Sequence, residues 1–162
     1  MGAAGSHFVI KHKTSELFVH VLNNSIQMNG TPLVFNKTVH DRNIFTFEVS
    51  EDDDEYGYIQ HVASEKYVHP FSGEGEPWNE CPLVLYHGKH DGCLFNIDQD
   101  TGYVKHKEGK FFAPALRRVR PRKNLHISLV DDPSERCEFE FVDPENTDRE
   151  VDIPCDSDSG ED

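Results

Sequence analysis

YGYIQHVASEKYVHPFSGEGEPWNECPLVLYHGKHDGCLF, residues Tyr56 to Phe95, is the stretch from which the rest of the chain can be read. It holds a short alternating run ending at His61, a second ending at His69-Pro70, and a loop rich in Gly, Pro, Glu and Asn. The apolar run Leu83-Val84-Leu85 follows, then His90-Asp91 ahead of Phe95. A weaker copy lies on each side. Before it, between Phe8 and Phe45, come VIKH ending at His12, LFVH ending at His20, PLVF at Pro32 to Phe35, and His40-Asp41. After it come VKH ending at His106, KFF at Lys110 to Phe112, ISL at Ile127 to Leu129, and Phe139. The distance from first histidine to closing phenylalanine is 33 residues for His12 to Phe45, 34 for His61 to Phe95 and 33 for His106 to Phe139.

A repeat of about 45–50 residues is the mark of stacked or radially arranged units, none of which can bury its own apolar face alone. Each copy contains about four short segments with period-2 alternation or brief apolar runs, divided by Gly, Pro and Asn; these read as strands and turns. No segment sustains an apolar 3.6-residue period. Four strands repeated three times predict an all-β chain folded as a β-trefoil, a closed barrel capped by hairpins, in which closure removes the sheet edges that would otherwise template aggregation. Three blades would be too few for a propeller.

The 162 residues suit one domain. Thirty acidic against 16 basic residues leave a net charge of −14, which argues against general binding to nucleic acid or to anionic membranes. Nine of the acids lie between Asp143 and Asp162 with one arginine, so residues 143–162 are expected to be a disordered acidic tail after a domain at 7–142, whose repeats fall at about 8–45, 56–95 and 103–139. Cys81, Cys93, Cys137 and Cys155 form no CxxC pair or secreted-type framework and are expected to be reduced thiols. The N-terminus shows no signal peptide and no span, which points to the cytoplasm, with unconventional release as the route outward; Met1-Gly2 followed by Ser6 matches the myristoylation pattern.

The second copy gathers polar groups that a core does not require. His69 closes a strand, Pro70 and Gly73 shape the next turn, Asn79 and Glu80 lie in the loop and His90 begins a corner. Imidazole donates and accepts, Glu accepts and Asn does both, which suits a row of sugar hydroxyls; the plainer reading is that His69 and His90 tie down their own turns. His20 and His40 take the same two places in the first copy, with Asn23 between them.

These residues resemble the galactose-binding β-trefoil lectins of the MytiLec type. The resemblance covers about residues 7–142 and rests on YIQHVASEKYVHPFSG, PWNECPLVLYHGKHD and VKHKEGKFF. In that family each repeat holds an HPxGG turn and an HxDxH corner that clasp galactose or N-acetylgalactosamine. Carried over, the resemblance implies a carbohydrate site of His69, Pro70, Gly73, Asn79, Glu80 and His90, and a weaker one of His20, Asn23 and His40. The second copy departs from the pattern at Ser72, Tyr86 and Gly88, the last standing where the family has its aspartate. The first departs at Val21, at Asn23 and Asn24 in place of the glycines, and at Thr38 in place of the aspartate. In the third, Ala113 and Ser134 replace both histidines and Leu116-Arg117 the glycine pair, although Asp132 survives.

Galactose-type glycans are thus the expected partners, with no cofactor and no metal. His87-x-x-His90 with His69 is a zinc-like grouping, but catalytic zinc wants three spaced ligands plus an activating carboxylate in a pocket. No GxSxG and no phosphate-cradling loop is present, so catalysis is not expected. Trp78, beside Asn79, suits stacking on a sugar face or capping of the barrel. Arg117, Arg118, Arg120, Arg122 and Lys123 make a basic loop in an acidic chain. It is a solvated loop, a partner for the acidic tail, where Ser157 and Ser159 sit among acids, or a contact for a protein partner. The alternative function is accordingly an interaction module that keeps the trefoil, has lost sugar chemistry, and works through that loop and tail.

Overall fold

The computed structural model describes residues 7–21, 30–39, 43–53, 55–71, 77–89, 91–114 and 126–153. The chain is all-β. Its strands are β1 (His7–His12), β2 (Phe18–Val21), β3 (Thr31–Asn36), β4 (Phe45–Val49), β5 (Gly57–His61), β6 (Tyr67–Pro70), β7 (Cys81–Tyr86), β8 (Phe95–Asp98), β9 (Tyr103–His106), β10 (Phe111–Pro114), β11 (Ile127–Val130), β12 (Phe139–Asp143) and β13 (Asn146–Glu150).

Six of them form a ring. β12 pairs with β1, β1 with β4, β4 with β5, β5 with β8 and β8 with β9, all antiparallel. A hydrogen bond of 2.8 Å from the Phe139 amide to the Gly102 carbonyl draws β12 to the start of β9. Gly102 has φ +87°, and a Cβ there would lie 2.8 Å from the Phe139 carbonyl oxygen, so the close approach needs glycine. The hairpins β2–β3, β6–β7 and β10–β11 stand on this ring. Their second strands meet as a triangle: β3 pairs with β7, β7 with β11, and Val34 bridges to His126. The result is a closed, β-trefoil-like barrel and cap.

Period-2 alternation supplies the core. In β5, Gly57, Ile59 and His61 are buried while Tyr58 and Gln60 are partly exposed. Phe8, Phe45, Phe95, Phe112 and Phe141 are fully buried, each stabilising the fold by about 1.5–3 kcal/mol relative to exposure. The Phe8 and Phe141 rings meet edge to face with centroids 5.7 Å apart. Leu33, Leu83 and Ile127, each twelve residues before a closing phenylalanine, are buried from the three hairpins. Asn43, Cys93 and Cys137 hold the place two residues before Phe45, Phe95 and Phe139, and all are fully buried. Cys81, Cys93 and Cys137 are free thiols, and the Asn43 side-chain amide donates to the Val19 carbonyl at 2.9 Å.

The histidines that open the copies are structural. His12 Nε2 donates to the Arg136 carbonyl at 2.9 Å and His106 Nε2 to the Gly92 carbonyl at 2.8 Å. A carbonyl only accepts, so Nε2 carries the proton in both, and Nδ1 accepts from the Ser15 hydroxyl in one and the Glu108 amide in the other. His61 Nδ1 likewise meets the Ser64 hydroxyl at 2.8 Å. Each ring fastens a hairpin turn whose left-handed position is filled by Glu16, Glu65 or Gly109. Burial, above all, lowers the pKa of His12 and His106 below the ordinary 6.5.

Residues 143–153, expected to belong to a disordered acidic tail, are instead held against the barrel, a correction to the composition-based boundary for these residues. β13 pairs back on β12 through Val142↔Glu150 and Asp143↔Asn146, and Arg149 Nη1 donates to Asp143 Oδ2 at 2.9 Å. The Gln99 amide then holds the segment at both ends, donating to the Val151 carbonyl at 2.7 Å and accepting from the Ile153 amide at 2.9 Å. Ile153 is buried in the main core, and Val151 packs beside it. A free strand edge and two apolar side chains outweigh the acidic average. Residues 154–162, with Cys155, Ser157 and Ser159, lie outside the described residues, as do Gly2 and the basic loop Arg117–Lys123. Among the described residues no helix is long and apolar enough to cross a membrane.

Candidate functional site

The β6–β7 hairpin carries the second copy's polar groups and separates them between its two ends. Its register is Tyr67↔Tyr86, Val68↔Leu85, His69↔Val84 and Pro70↔Leu83. At one end the Phe71 amide donates to the Pro82 carbonyl at 2.8 Å. Phe71 and Trp78, 61% and 50% exposed, meet edge to face with centroids 6.5 Å apart. Asn79 Oδ1 accepts from the Asp131 amide at 2.9 Å and the Glu80 amide donates to the Leu129 carbonyl at 2.6 Å. Both residues are thereby anchored to the third copy at β11, and Glu80 takes φ +69° to make the turn into β7.

At the other end lie Tyr86, His87, Gly88 and Lys89. His69 reaches this end: its Nε2 donates to the Gly88 carbonyl at 3.0 Å, and its ring packs against Tyr86 with centroids 5.6 Å apart. His69 is only 2% exposed and Pro70 is also buried, whereas Tyr86 is 46% exposed and stacks on His87 at 5.4 Å and 12°. The structure thus brings His69, Tyr86 and Gly88 together and gives His69 a turn-fastening bond. Gly88 has φ +87° with nothing within 4 Å of an added Cβ, so the family aspartate is missing from a position with room for it.

In the first copy His20 is buried, but its Nδ1 rather than Nε2 donates, to the Val21 carbonyl at 2.6 Å. In the third copy Ala113 is fully buried, and Arg136 Nη1 donates to the Pro114 carbonyl, so a protein side chain takes the corner. Gly73, His90, Asn23 and His40 lie outside the described residues. Among the described residues no three His, Cys, Asp or Glu side chains gather in a metal-holding group. Sequence reasoning overlooked Phe71 and named Tyr86 only as a departure; large aromatic side chains at a hairpin's polar ends were the available signal.

A family model described as alpha-D-galactose-binding lectin, MytiLec, matches residues 8–144, which spans the barrel, its cap and both ends of this hairpin. The chain belongs to the MytiLec family. A galactose-binding lectin of Crenomytilus grayanus is 39% identical over 49 residues, covering 28% of this chain and 33% of that lectin, so the match spans about a third of the relative's length. Solved structures agree on the fold. The designed three-fold symmetric protein ThreeFoil superposes with TM-score 0.69 at 14% identity, over 85% of this chain and 98% of that one. The Rhizoctonia solani agglutinin gives 0.69 at 12% identity, over 88% and 98%. The Polyporus squamosus lectin, bound to a sialylated trisaccharide epitope, gives 0.67 at 11% identity, over 87% and 50%. At such identities these structures speak to the β-trefoil layout alone, while MytiLec membership carries the functional direction.

Proposed function

We propose that this MytiLec-family chain is a three-repeat β-trefoil lectin that binds galactose- or N-acetylgalactosamine-type glycans without altering them. Its main site is the second copy's hairpin: His69 with Tyr86 and Gly88 makes the described centre, Pro70, Asn79 and Glu80 lie toward the hairpin's other end, and Gly73 and His90 are the members the family resemblance adds. The observation that carries the reading is the convergence of His69 with the exposed Tyr86 ring at Gly88. An amphipathic aromatic offers a face to the C–H side of a sugar, and the polar groups around it match hydroxyls that donate and accept. Because His69 Nε2 already serves Gly88, and Gly88 brings no carboxylate, the site is an altered and weaker form of the family's. His20, with Asn23 and His40, forms a second site that is weaker again; two sites on one chain favour multivalent glycans through effective concentration.

A glycan array with the full chain tests this, repeated with Tyr86→Ala and His69→Ala. Tyr86 is exposed, so its loss spares the fold and is expected to weaken galactoside binding by about two- to tenfold, the range of one aromatic contact. Retention of full binding in both variants sinks the site.

The same His69 bond favours a second reading, a trefoil interaction module in which this ring is purely structural. Its contacts run through the Arg117–Lys123 loop and the acidic C-terminus. Partners captured by the full chain elute with free galactose if the first reading holds and stay bound if the second does.

A further inference from the structure

The outer flank of the barrel lets one copy be compared with another. In the second copy Lys89 lies across β5 and β6, its ammonium 5.2 Å from the Tyr58 ring centroid and 5.7 Å from that of Tyr67. Glu48 Oε2 accepts from it at 2.6 Å. Glu48 and Tyr58 are cross-strand partners between β4 and β5, so strand register places the carboxylate beside the ring. The hydrogen bond to Glu48 is the main cause that holds the Lys89 ammonium above its ordinary pKa.

Lys89 stands six residues before Phe95. The same offset from Phe45 gives Val39, which packs on the apolar set Val9, Phe18 and Val142. From Phe139 it gives Pro133, which is exposed. The third copy has thus lost the covering side chain, yet it keeps the receptor. Tyr103, three residues before His106, replaces Tyr58, three before His61; Phe111 opens β10 as Tyr67 opens β6. The Tyr103 and Phe111 rings meet at 5.6 Å and 67°, against 6.1 Å and 72° for Tyr58 and Tyr67. Asp98 pairs with Tyr103 across β8 and β9 as Glu48 pairs with Tyr58. These groups line an open cleft of about 260 Å³, with Glu55 and Lys105 also on its walls.

We infer that this cleft binds an alkylammonium group, the third copy accepting from a ligand what the second takes from its own Lys89. Two ring systems beside a carboxylate make a cation receptor. Lys105 opposes an incoming cation, while Glu55 and Asp98 share the walls with it, Asp98 Oδ1 also accepting from the Asp100 amide at 3.0 Å. In the second copy Gln60 takes that place, three residues after Gly57 as Lys105 is three after Gly102. Either a free polyamine or the lysyl side chain of a protein partner supplies the group. The cleft lies apart from the His69 hairpin, so the inference stands whether or not sugar is bound there.

The test is an NMR titration of the ¹⁵N-labelled full chain with n-butylammonium, spermidine and Nα-acetyl-lysine methylamide, with n-butanol as the neutral match. The ammonium compounds are expected to shift Asn96, Tyr103, Lys105 and Phe111 while butanol does not; a preference between spermidine and the lysyl compound assigns the source. Asp98→Asn should weaken binding about two- to fivefold and Lys105→Gln should tighten it by a similar factor, the range of a partly exposed ion pair. A gain of affinity cannot come from misfolding. Glu16→Gln, in the β1–β2 turn, removes the same charge as Asp98→Asn and should change nothing. Equal shifts with butanol, indifference to Asp98→Asn and Lys105→Gln, or an equal loss in Glu16→Gln would each overturn the inference.

Discussion

Changing Gly88 to Asp returns the acceptor of the MytiLec corner, and the structure sets both what it costs and what it gains. No heavy atom lies within 4 Å of an added Cβ, so the cost is the backbone conformation alone, φ +87°. A left-handed conformation costs an L-residue about 1–2 kcal/mol, and Asp sits at the lower end because its short polar side chain bonds locally. For a chain of this size that is a fall in Tm of about 2–4 °C for each kcal/mol. The gain is the difference between a charged acceptor, worth about 1.5–3 kcal/mol, and a neutral one at about 1. That difference of about 0.5–2 kcal/mol corresponds to a galactose Kd lower by about two- to thirtyfold. Calorimetric titration with methyl galactoside and a thermal melt read the two effects separately, and Gly88→Ala, with the strain but no acceptor, isolates the first. A folded Gly88→Asp protein whose affinity is unchanged would refute the assignment of this corner to sugar. An unchanged Tm in both variants would refute the strain argument.

Stability should also depend on pH through His12 and His106, both lowered below 6.5 chiefly by burial. The unfolded chain takes up these protons first, so their contribution is whole above about pH 6.5 and is lost as pH falls toward the folded values, with a limiting slope of about 1.4 kcal/mol per pH unit for each histidine. Urea melts between pH 7 and 5.5 should show that slope shrink in His106→Gln; an identical slope would exclude the histidine as its source. Gly57→Ala should destabilise by about 1–3 kcal/mol or more, because its Cβ would lie 2.4 Å from the Glu48 carbonyl oxygen and 2.6 Å from the Phe47 ring; a melt at the wild-type midpoint would contradict the packing described. Truncation after Ile153 should leave Tm unchanged, whereas truncation after Val142 removes β13 and the buried Ile153 and should lower it by several degrees. Equal melts for the two would return the tail boundary to Asp143.

The fold was legible because its signals are short-range and repeated. Period-2 alternation in runs such as Gly57–His61 and brief apolar runs such as Leu83-Val84-Leu85 mark strands, and the spacing from His12, His61 and His106 to their closing phenylalanines marks the copies. The roles of histidines were less legible. His12, His61 and His106 mark the copies in sequence, but only the structure shows that burial and turn hydrogen bonds commit them to fastening hairpins, while His20 and His69 donate from different nitrogens, a choice set by the carbonyl within reach. Gly88 reads as a lost aspartate, and only the backbone angle shows that glycine also suits the turn. β13 escaped notice because acidic composition outvoted Val151 and Ile153 just after it, which pack on the core beside Gln99, some fifty residues earlier. The flank cleft was hidden because its walls come from β8, β9 and β10, which register alone brings together.

The central claim, a sugar site at the second copy's hairpin, is tested most directly by titrating methyl α-D-galactoside into the ¹⁵N-labelled full chain and following its amide spectrum. The account predicts saturable shifts at His69, Tyr86, His87 and Gly88, with smaller ones around His20, and none at the flank residues Tyr103 and Phe111. Saturable shifts confined to other surfaces, or no shift at any of these residues at high galactoside, would contradict it.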